Sequence, residues 1–313
     1  MHIACPVCQA KVSATARFCE QCGCRLAGSL EAQHQQALDC YHRGQIDEAL
    51  NLWDQLLEEK PGFSKGHYYR GLALYDRGDL LQAVAALKKA LEGEQDQFRV
   101  YYKLGMAQYG IGDLVDSVRC YKEALKLNPK SSETWYRLGL SYQRAAEMES
   151  AQQALEKAVE LNPDYTRALY ILGLVLSQRG EIDAAIECFR RVGRISPSYI
   201  AARFELGMAL YRRGDLSQAV EQFRLAVAEN NEFAPGHFML GEALRKQDQH
   251  REALAAYRRV LELNPRDGEA MLRQAECHQQ LGEQELGLAA LERALELNPQ
   301  NQEAQLLRDK LKS

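Results

Sequence analysis

From Leu30 onward, apolar and small residues return with a period of 34. Eight blocks of that length cover residues 30–301 without insertion or deletion. Counting slots from the start of each block, the eighth reads Ala37, Gly71, Gly105, Gly139, Gly173, Gly207, Gly241 and Ala275. Glycine makes up only 22 of the 313 residues, so six at this slot is a constraint rather than chance. The twentieth slot is equally small: Ala49, Ala83, Ser117, Ala151, Ala185, Ala219, Ala253 and Gly287. The twenty-seventh is alanine in five blocks, at Ala90, Ala124, Ala158, Ala226 and Ala294. Six blocks carry proline at the thirty-second slot: Pro61, Pro129, Pro163, Pro197, Pro265 and Pro299. The pattern predicts two helices per block. Small residues at the eighth and twentieth slots let the two approach closely. Turns such as Arg77-Gly78-Asp79-Leu80 end the first helix on a glycine that accepts the left-handed conformation. Proline ends the second helix. Large residues such as Leu104, Tyr121, Leu138, Phe189, Phe223 and Tyr257 fill the space between.

Period, small slots and terminal proline together resemble the tetratricopeptide repeat. The resemblance implies an all-α fold: a right-handed α-solenoid of eight helix-turn-helix repeats over residues 30–301. Residues 302–313 then read as a polar capping helix that shields the last repeat. Departures fall at the ends of the array, where Ala37, Gln36, Gln274, Ala275 and Gly287 break the inner pattern. Gln95 and Asn231 replace proline within it, which predicts looser joints there.

The resemblance also implies a function. First helices line the concave face, which takes an extended peptide or a helix from a partner protein. The second, fifth, sixth, ninth, twelfth and thirteenth slots point there. Candidate groove residues are Tyr68, Tyr102, Lys103, Met106, Tyr136, Arg137, Tyr170, Phe204, Met208 and Phe238. His34 and Leu272 hold the fifth slot at the two ends of the array. The ninth slot turns acidic at Glu242 and Glu276. Lys65, Arg99, Lys103, Arg137, Arg144 and Arg167 add positive charge along blocks two to five. Co-chaperone adaptors of this family clamp carboxylates with asparagines at the sixth and ninth slots. Here Tyr69, Leu72, Lys103, Met106, Arg137 and Leu140 stand there, which argues against a chaperone-tail adaptor. An apolar groove with a basic flank suits a partner segment with spaced apolar anchors and some acidic residues.

The amino-terminal residues carry different chemistry. Five of nine cysteines fall within the first 24 residues, and four read Cys5-x2-Cys8-x10-Cys19-x2-Cys22. Two thiolates separated by two residues can hold a metal from one tight turn, and a second such pair completes a tetrahedral four-sulfur shell suited to Zn²⁺. Pro6 and Gly23 suit those turns. Residues 1–27 resemble the short zinc ribbons at the start of many bacterial proteins, with Cys5, Cys8, Cys19 and Cys22 as ligands of one structural Zn²⁺. Gln9 stands where that family usually has glycine, which strains the first turn. Four sulfurs leave no open position for catalysis. So short a segment cannot bury its own core, so metal binding supplies its folding energy. Cys24 is a fifth thiol, and Gly28-Ser29 forms a minimal linker to the repeats.

Composition narrows the function classes. Apolar residues are 46% and charged residues 26%, a normal balance for a folded soluble chain. The net charge of −4 argues against a protein whose main affinity is for phosphate backbones. Residues 1–29 set Lys11, Arg17 and Arg25 against Glu20, a weak basic footprint. The longest apolar run, residues 168–176, is far too short to span a membrane. No export signal fits the first residues, so the expected compartment is the cytoplasm, where Cys40, Cys120, Cys188 and Cys277 read as small buried thiols. Arg-Gly-Asp occurs at Arg77 and at Arg213, both times in the repeat's internal turn, so adhesion is not indicated. Neither a phosphate-cradling loop nor a nucleophile elbow occurs. The favoured reading is a non-enzymatic interaction scaffold. The alternatives are a nucleic-acid- or transcription-linked factor acting through the ribbon, and a regulator of a membrane-bound assembly complex.

Overall fold

The computed structural model describes residues 2–5, 7–13, 16, 18–23, 30–93 and 96–312. Pro6, Arg17, Cys24, the Gly28-Ser29 linker and Gln95 lie outside the described residues. The chain divides into two compact units, residues 1–161 and 162–313.

The first unit opens with an antiparallel pair, β1 (His2–Ala4) and β2 (Lys11–Ser13), in which Ile3 faces Val12. Eight helices follow: α1 (Leu30–His42), α2 (Ile46–Glu59), α3 (Ser64–Arg77), α4 (Leu80–Ala90), α5 (Gln97–Ile111), α6 (Leu114–Leu127), α7 (Ser132–Arg144) and α8 (Met148–Leu161). The second unit holds α9 (Thr166–Arg179), α10 (Ile182–Ile195), α11 (Ile200–Arg213), α12 (Leu216–Glu229), α13 (Ala234–Lys246), α14 (His250–Leu263), α15 (Gly268–Gln280), α16 (Gln284–Leu297) and α17 (Gln302–Lys312). Each helix packs on the next within its unit. Within each unit several odd-numbered helices also touch, as α3 does α5 and α11 does α13, so these first helices of successive blocks lie side by side.

The small eighth slot has a definite partner sixteen residues on. A Cβ added at Gly207 would stand 2.6 Å from the Phe223 ring, and one at Gly241 would stand 2.5 Å from that of Tyr257. Gly105 against Tyr121, Gly139 against Leu155 and Gly173 against Phe189 repeat the arrangement. The large partner is almost fully buried each time. In the first block the large partner's slot holds Trp53, fully buried in one core cluster with Ala37.

Turns between the paired helices need a left-handed residue. Gly78, Gly112, Gly180 and Gly214 supply it with φ of 94°, 85°, 82° and 96°. Ala146 and Asp248 occupy the same slot at φ of 61° and 60°, where a side chain costs about 1–2 kcal/mol.

Joints between blocks close through a hydrogen bond that the sequence pattern did not suggest. The side chain at the fourth slot donates to the carbonyl at the preceding thirty-second slot. Trp135 Nε1 does so to Pro129 at 2.9 Å, Arg203 Nε to Pro197 at 2.7 Å and Gln305 Nε2 to Pro299 at 2.6 Å. His67 Nε2 pairs likewise with Pro61 at 2.7 Å. At Asn231, one of the two joints without proline, the same carbonyl is engaged. His237 Nε2 lies 3.1 Å from its carbonyl oxygen, and Arg259 donates to the same oxygen at 3.3 Å.

At the carboxyl end, α17 buries Ala304 and Leu311 against Leu272, Ala275 and Leu291. No described helix is long and apolar enough to cross a membrane.

Candidate functional site

Side chains at the fifth slot divide their surface between packing and exposure. Each rests against the large residue of its own block: Tyr102 lies 6.1 Å from Tyr121, Tyr170 6.1 Å from Phe189, Phe204 5.7 Å from Phe223 and Phe238 5.8 Å from Tyr257. These four remain half-exposed, as do Lys103, Met106 and Met208. Tyr68 and Tyr136 do not, at 5% and 7% exposure, so their rings are core and offer little to a partner.

In the first unit, Tyr102 donates its hydroxyl to Glu133 Oε1 at 3.2 Å, and Arg137 Nε donates to the same oxygen at 2.8 Å. Burial, with Glu133 alongside, raises the Tyr102 hydroxyl above its ordinary value. The guanidinium of Arg137 also lies 5.9 Å from the Tyr136 ring. Glu133, at the second slot of its block, was not singled out from the sequence, although that slot belongs to the face. Much of the expected basic flank is engaged locally. Arg99 pairs with Asp96 at 3.2 Å. Arg144 donates to the Tyr109 carbonyl at 2.9 Å, and Arg167 lies over the Tyr165 ring at 5.7 Å.

In the second unit, a cavity of about 410 Å³ brings Phe204, Met208 and Phe238 together. Met239 and Pro235 complete its apolar wall. Its two carboxylates are already committed: Asp267 caps α15 by accepting from Ala270 N at 2.9 Å, and Glu269 pairs with Arg273 at 2.6 Å.

The ninth slot does not leave this unit with an acidic end. Glu242 accepts from the Tyr257 hydroxyl at 2.6 Å and pairs with Arg245 at 2.9 Å. Glu276 pairs with Arg273 at 2.8 Å and Arg245 at 3.4 Å. Burial alone would raise the Glu242 carboxyl, but the Arg245 and Tyr257 hydrogen bonds outweigh it and hold it below its ordinary value. Both Arg-Gly-Asp arginines are structural: Arg77 bridges to Asp47 at 2.6 Å, and Arg213 bridges to Asp183 at 2.7 Å.

His34, at the fifth slot of the first block, belongs to the core. It is 6% exposed and accepts the Trp53 Nε1 hydrogen bond on Nδ1 at 3.1 Å. Burial lowers its pKa to about 4.

At the amino terminus, Cys5, Cys8, Cys19 and Cys22 converge, with all four sulfurs within 4.8 Å of one another. Cys5 and Cys22 Sγ are 3.6 Å apart, and Cys8 and Cys19 Sγ are 3.3 Å apart. Four sulfurs each about 2.3 Å from one Zn²⁺ form a tetrahedron with edges of about 3.8 Å, so the donor set fits that ion. Backbone N–H groups of Val7 and Cys8 both point at Cys5 Sγ from 3.4 Å. No described cysteine is in a disulfide. Gln9 takes φ of 56°, the strained turn expected from its replacement of glycine. Cys40, Cys120, Cys188 and Cys277 are buried as expected. Cys120 donates to Gln108 Oε1 at 3.1 Å.

Side-by-side helix pairs with half-exposed aromatic residues along the first helices define a helical-repeat solenoid. The chain belongs to the tetratricopeptide repeat family, whose model matches residues 136–200, 197–235 and 238–308, over half of its length. Three further tetratricopeptide models match residues 71–112, 98–131 and 30–55. No curated protein sequence matches it. Among solved structures, it is similar to YrrB, described as a TPR protein with an unusual peptide-binding site. That likeness has 21% identity and a TM-score of 0.57, and covers 60% of this chain and 97% of YrrB. A structure of MamA is 32% identical with a TM-score of 0.50, covering 53% of this chain and 96% of MamA. A tetratricopeptide repeat protein from Parabacteroides merdae is 18% identical with a TM-score of 0.56, covering 80% of this chain and 99% of its own.

Proposed function

We propose that the protein is a non-enzymatic adaptor that captures an extended peptide or helix from a partner protein on the face formed by its first helices. The observation that carries this reading is the apolar cavity of Phe204, Met208 and Phe238. Half-exposed aromatic and methionine side chains bury well in a complex, and such anchors dominate interface energy. Tyr170 belongs to the same face of the second unit, and Tyr102, Lys103, Met106 and Arg137 form the corresponding first-helix face of the first unit. Tyr68 and Tyr136 act beneath it as support. In this reading residues 30–301 are the binding array, residues 302–313 its cap and residues 28–29 the linker.

Cys5, Cys8, Cys19 and Cys22 hold one structural Zn²⁺ in a ribbon spanning residues 1–27, which serves as a second docking surface or as a cap. The ion closes the shell and supplies folding energy rather than chemistry. The reading places the protein in the cytoplasm, where the thiols stay reduced. The peptide-binding site named for YrrB is an analogy in its favour, resting on shared fold alone.

The test pairs Met208→Ala with Phe238→Ala and compares partner or peptide binding with the parent chain. Helicity by circular dichroism should be retained and affinity should fall about tenfold or more. Unchanged affinity in a folded variant would sink the proposal.

A further inference from the structure

A larger cavity, about 670 Å³, opens between α6, α7 and α8 in the first unit. None of the residues assigned to the peptide-capturing face lines it. Its floor is apolar: Leu125, Leu138 and Tyr142 are 6%, 3% and 8% exposed. Trp135 forms one wall, and its indole N–H is already given to the Pro129 carbonyl, so it offers ring surface only. Lys122 and Lys126, one turn apart on α6, and Lys157 on α8 stand around the opening. No aspartate or glutamate lines the cavity.

Among the described residues Lys122 joins no ion pair; its ammonium lies 5.5 Å from the Tyr142 ring centre. Lys126 and Lys157 reach Glu123 at 2.7 Å and Glu160 at 2.8 Å, both within their own helix and outside the lining. Solvated pairs of this kind are weak and readily exchanged for another carboxylate.

The positive charge is confined to particular joints rather than a property of the repeat. The slots of Lys122 and Lys126 hold Asp54 and Glu58 in the first block and Glu156 and Glu160 in the fourth. The corresponding cavity in blocks one and two is neutralised from within, since Asp54 lines it in an ion pair with Arg70 at 2.5 Å. Only in the fifth block do both slots become basic again, as Arg190 and Arg194. There they line a cavity of about 320 Å³ with Arg203 and no carboxylate.

We propose that the α6–α7–α8 cavity is a second docking site, for an acidic peptide segment that carries a leucine or aromatic anchor. The anchor covers Leu125, Trp135 and Tyr142, while flanking carboxylates meet Lys122, Lys126 and Lys157. Its volume lies within the range of pockets that hold small ligands. Complementary charge then selects against basic segments. The inference is independent of the peptide-capturing face proposed above.

The test titrates a fluorescein-labelled peptide, with one phenylalanine and one leucine spaced among glutamates, into the full chain. Matched peptides replace the two anchors by alanine or the glutamates by lysine. Binding should require both anchors and glutamates and should weaken with salt. Combining Lys122→Glu, Lys126→Glu and Lys157→Glu should lower affinity by at least about tenfold. The Met208→Ala, Phe238→Ala variant, which lacks the anchors of the other face, should keep the component of binding that the three lysines control. Should the charge reversal unfold the chain, the three lysines are changed to glutamine and the same loss is expected in smaller measure. Four results would overturn the proposal: no binding of the acidic peptide, equal binding of the anchorless peptide, affinity untouched by lysine replacement, or loss confined to the Met208 and Phe238 variant. Oleate displacing the peptide while binding far more tightly would reassign the cavity to an anionic amphiphile, which also overturns it.

Discussion

The packing account rests on glycine at the eighth slot, and two substitutions in the second unit test it with opposite signs. In Gly207→Ala the new Cβ would lie 2.6, 2.8 and 3.0 Å from Cε1, Cδ1 and Cζ of Phe223. Ordinary carbon contacts are about 3.5–4.0 Å, so the ring must withdraw by about 1 Å. It is 0% exposed and backed by Phe204, whose ring centre is 5.7 Å away. Overpacking of a rigid core ring costs about 1–3 kcal/mol. Alanine recovers about 0.5–1 kcal/mol of helix propensity, leaving a net loss of about 1–2 kcal/mol. Gly193, within α10, has nothing within 4 Å of the equivalent Cβ position. There the same change should stabilise by about 0.5–1 kcal/mol. Urea unfolding followed by helical circular dichroism reads both. With slopes of about 1–3 kcal/mol per molar, the Gly207→Ala midpoint should fall by roughly 0.3–2 M and the Gly193→Ala midpoint should rise. A Gly207→Ala midpoint that rises alongside Gly193→Ala would refute close packing at this slot.

Asp248→Gly should relieve the left-handed cost at φ 60° and stabilise the second unit by about 1 kcal/mol, read as a raised urea midpoint. Neutral His34 accepts from Trp53, and its folded pKa of about 4 lies below the ordinary value, so the unfolded state binds more protons as pH falls. Stability around α1 and α2 should therefore be intact above about pH 6.5 and decline toward pH 4, seen as a change in Trp53 emission in a Trp135→Phe background. Cys19→Ser should abolish retention of one zinc per chain measured by elemental analysis, while the helical signal of the repeats persists. Gln9→Gly should bind zinc more tightly than the parent in a chelator competition, because it removes the strained residue at φ 56°.

The array was legible because its constraints repeat. Small residues at the eighth and twentieth slots, and proline at the thirty-second, recur with the period, and the helices fall where that spacing put them. The four-cysteine cluster was legible for a similar reason, since paired knuckles leave few ways to arrange four sulfurs. The exposed face was less so. Tyr68, Tyr102 and Tyr136 share one slot, yet only Tyr102 stays half-exposed. Burial at that slot depends on side chains from adjoining helices and residues, as where the Tyr69 ring packs 5.1 Å from that of Tyr68. The acidic end inferred from Glu242 and Glu276 disappeared for a related reason. Their partners Arg245 and Arg273 lie at other slots, and Arg273 reaches Glu242 only across two blocks, at 3.8 Å. The pairing of His34 with Trp53 spans nineteen positions within one block and breaks the pattern of the inner repeats.

The central claim is capture of a partner segment on the first-helix face, and selection from a random peptide library against the full chain tests it most directly. The account predicts a recovered consensus with spaced aromatic or aliphatic anchors whose binding is lost in the Met208→Ala, Phe238→Ala variant. A consensus that binds the folded variant as well as the parent would contradict it, as would the recovery of no consensus.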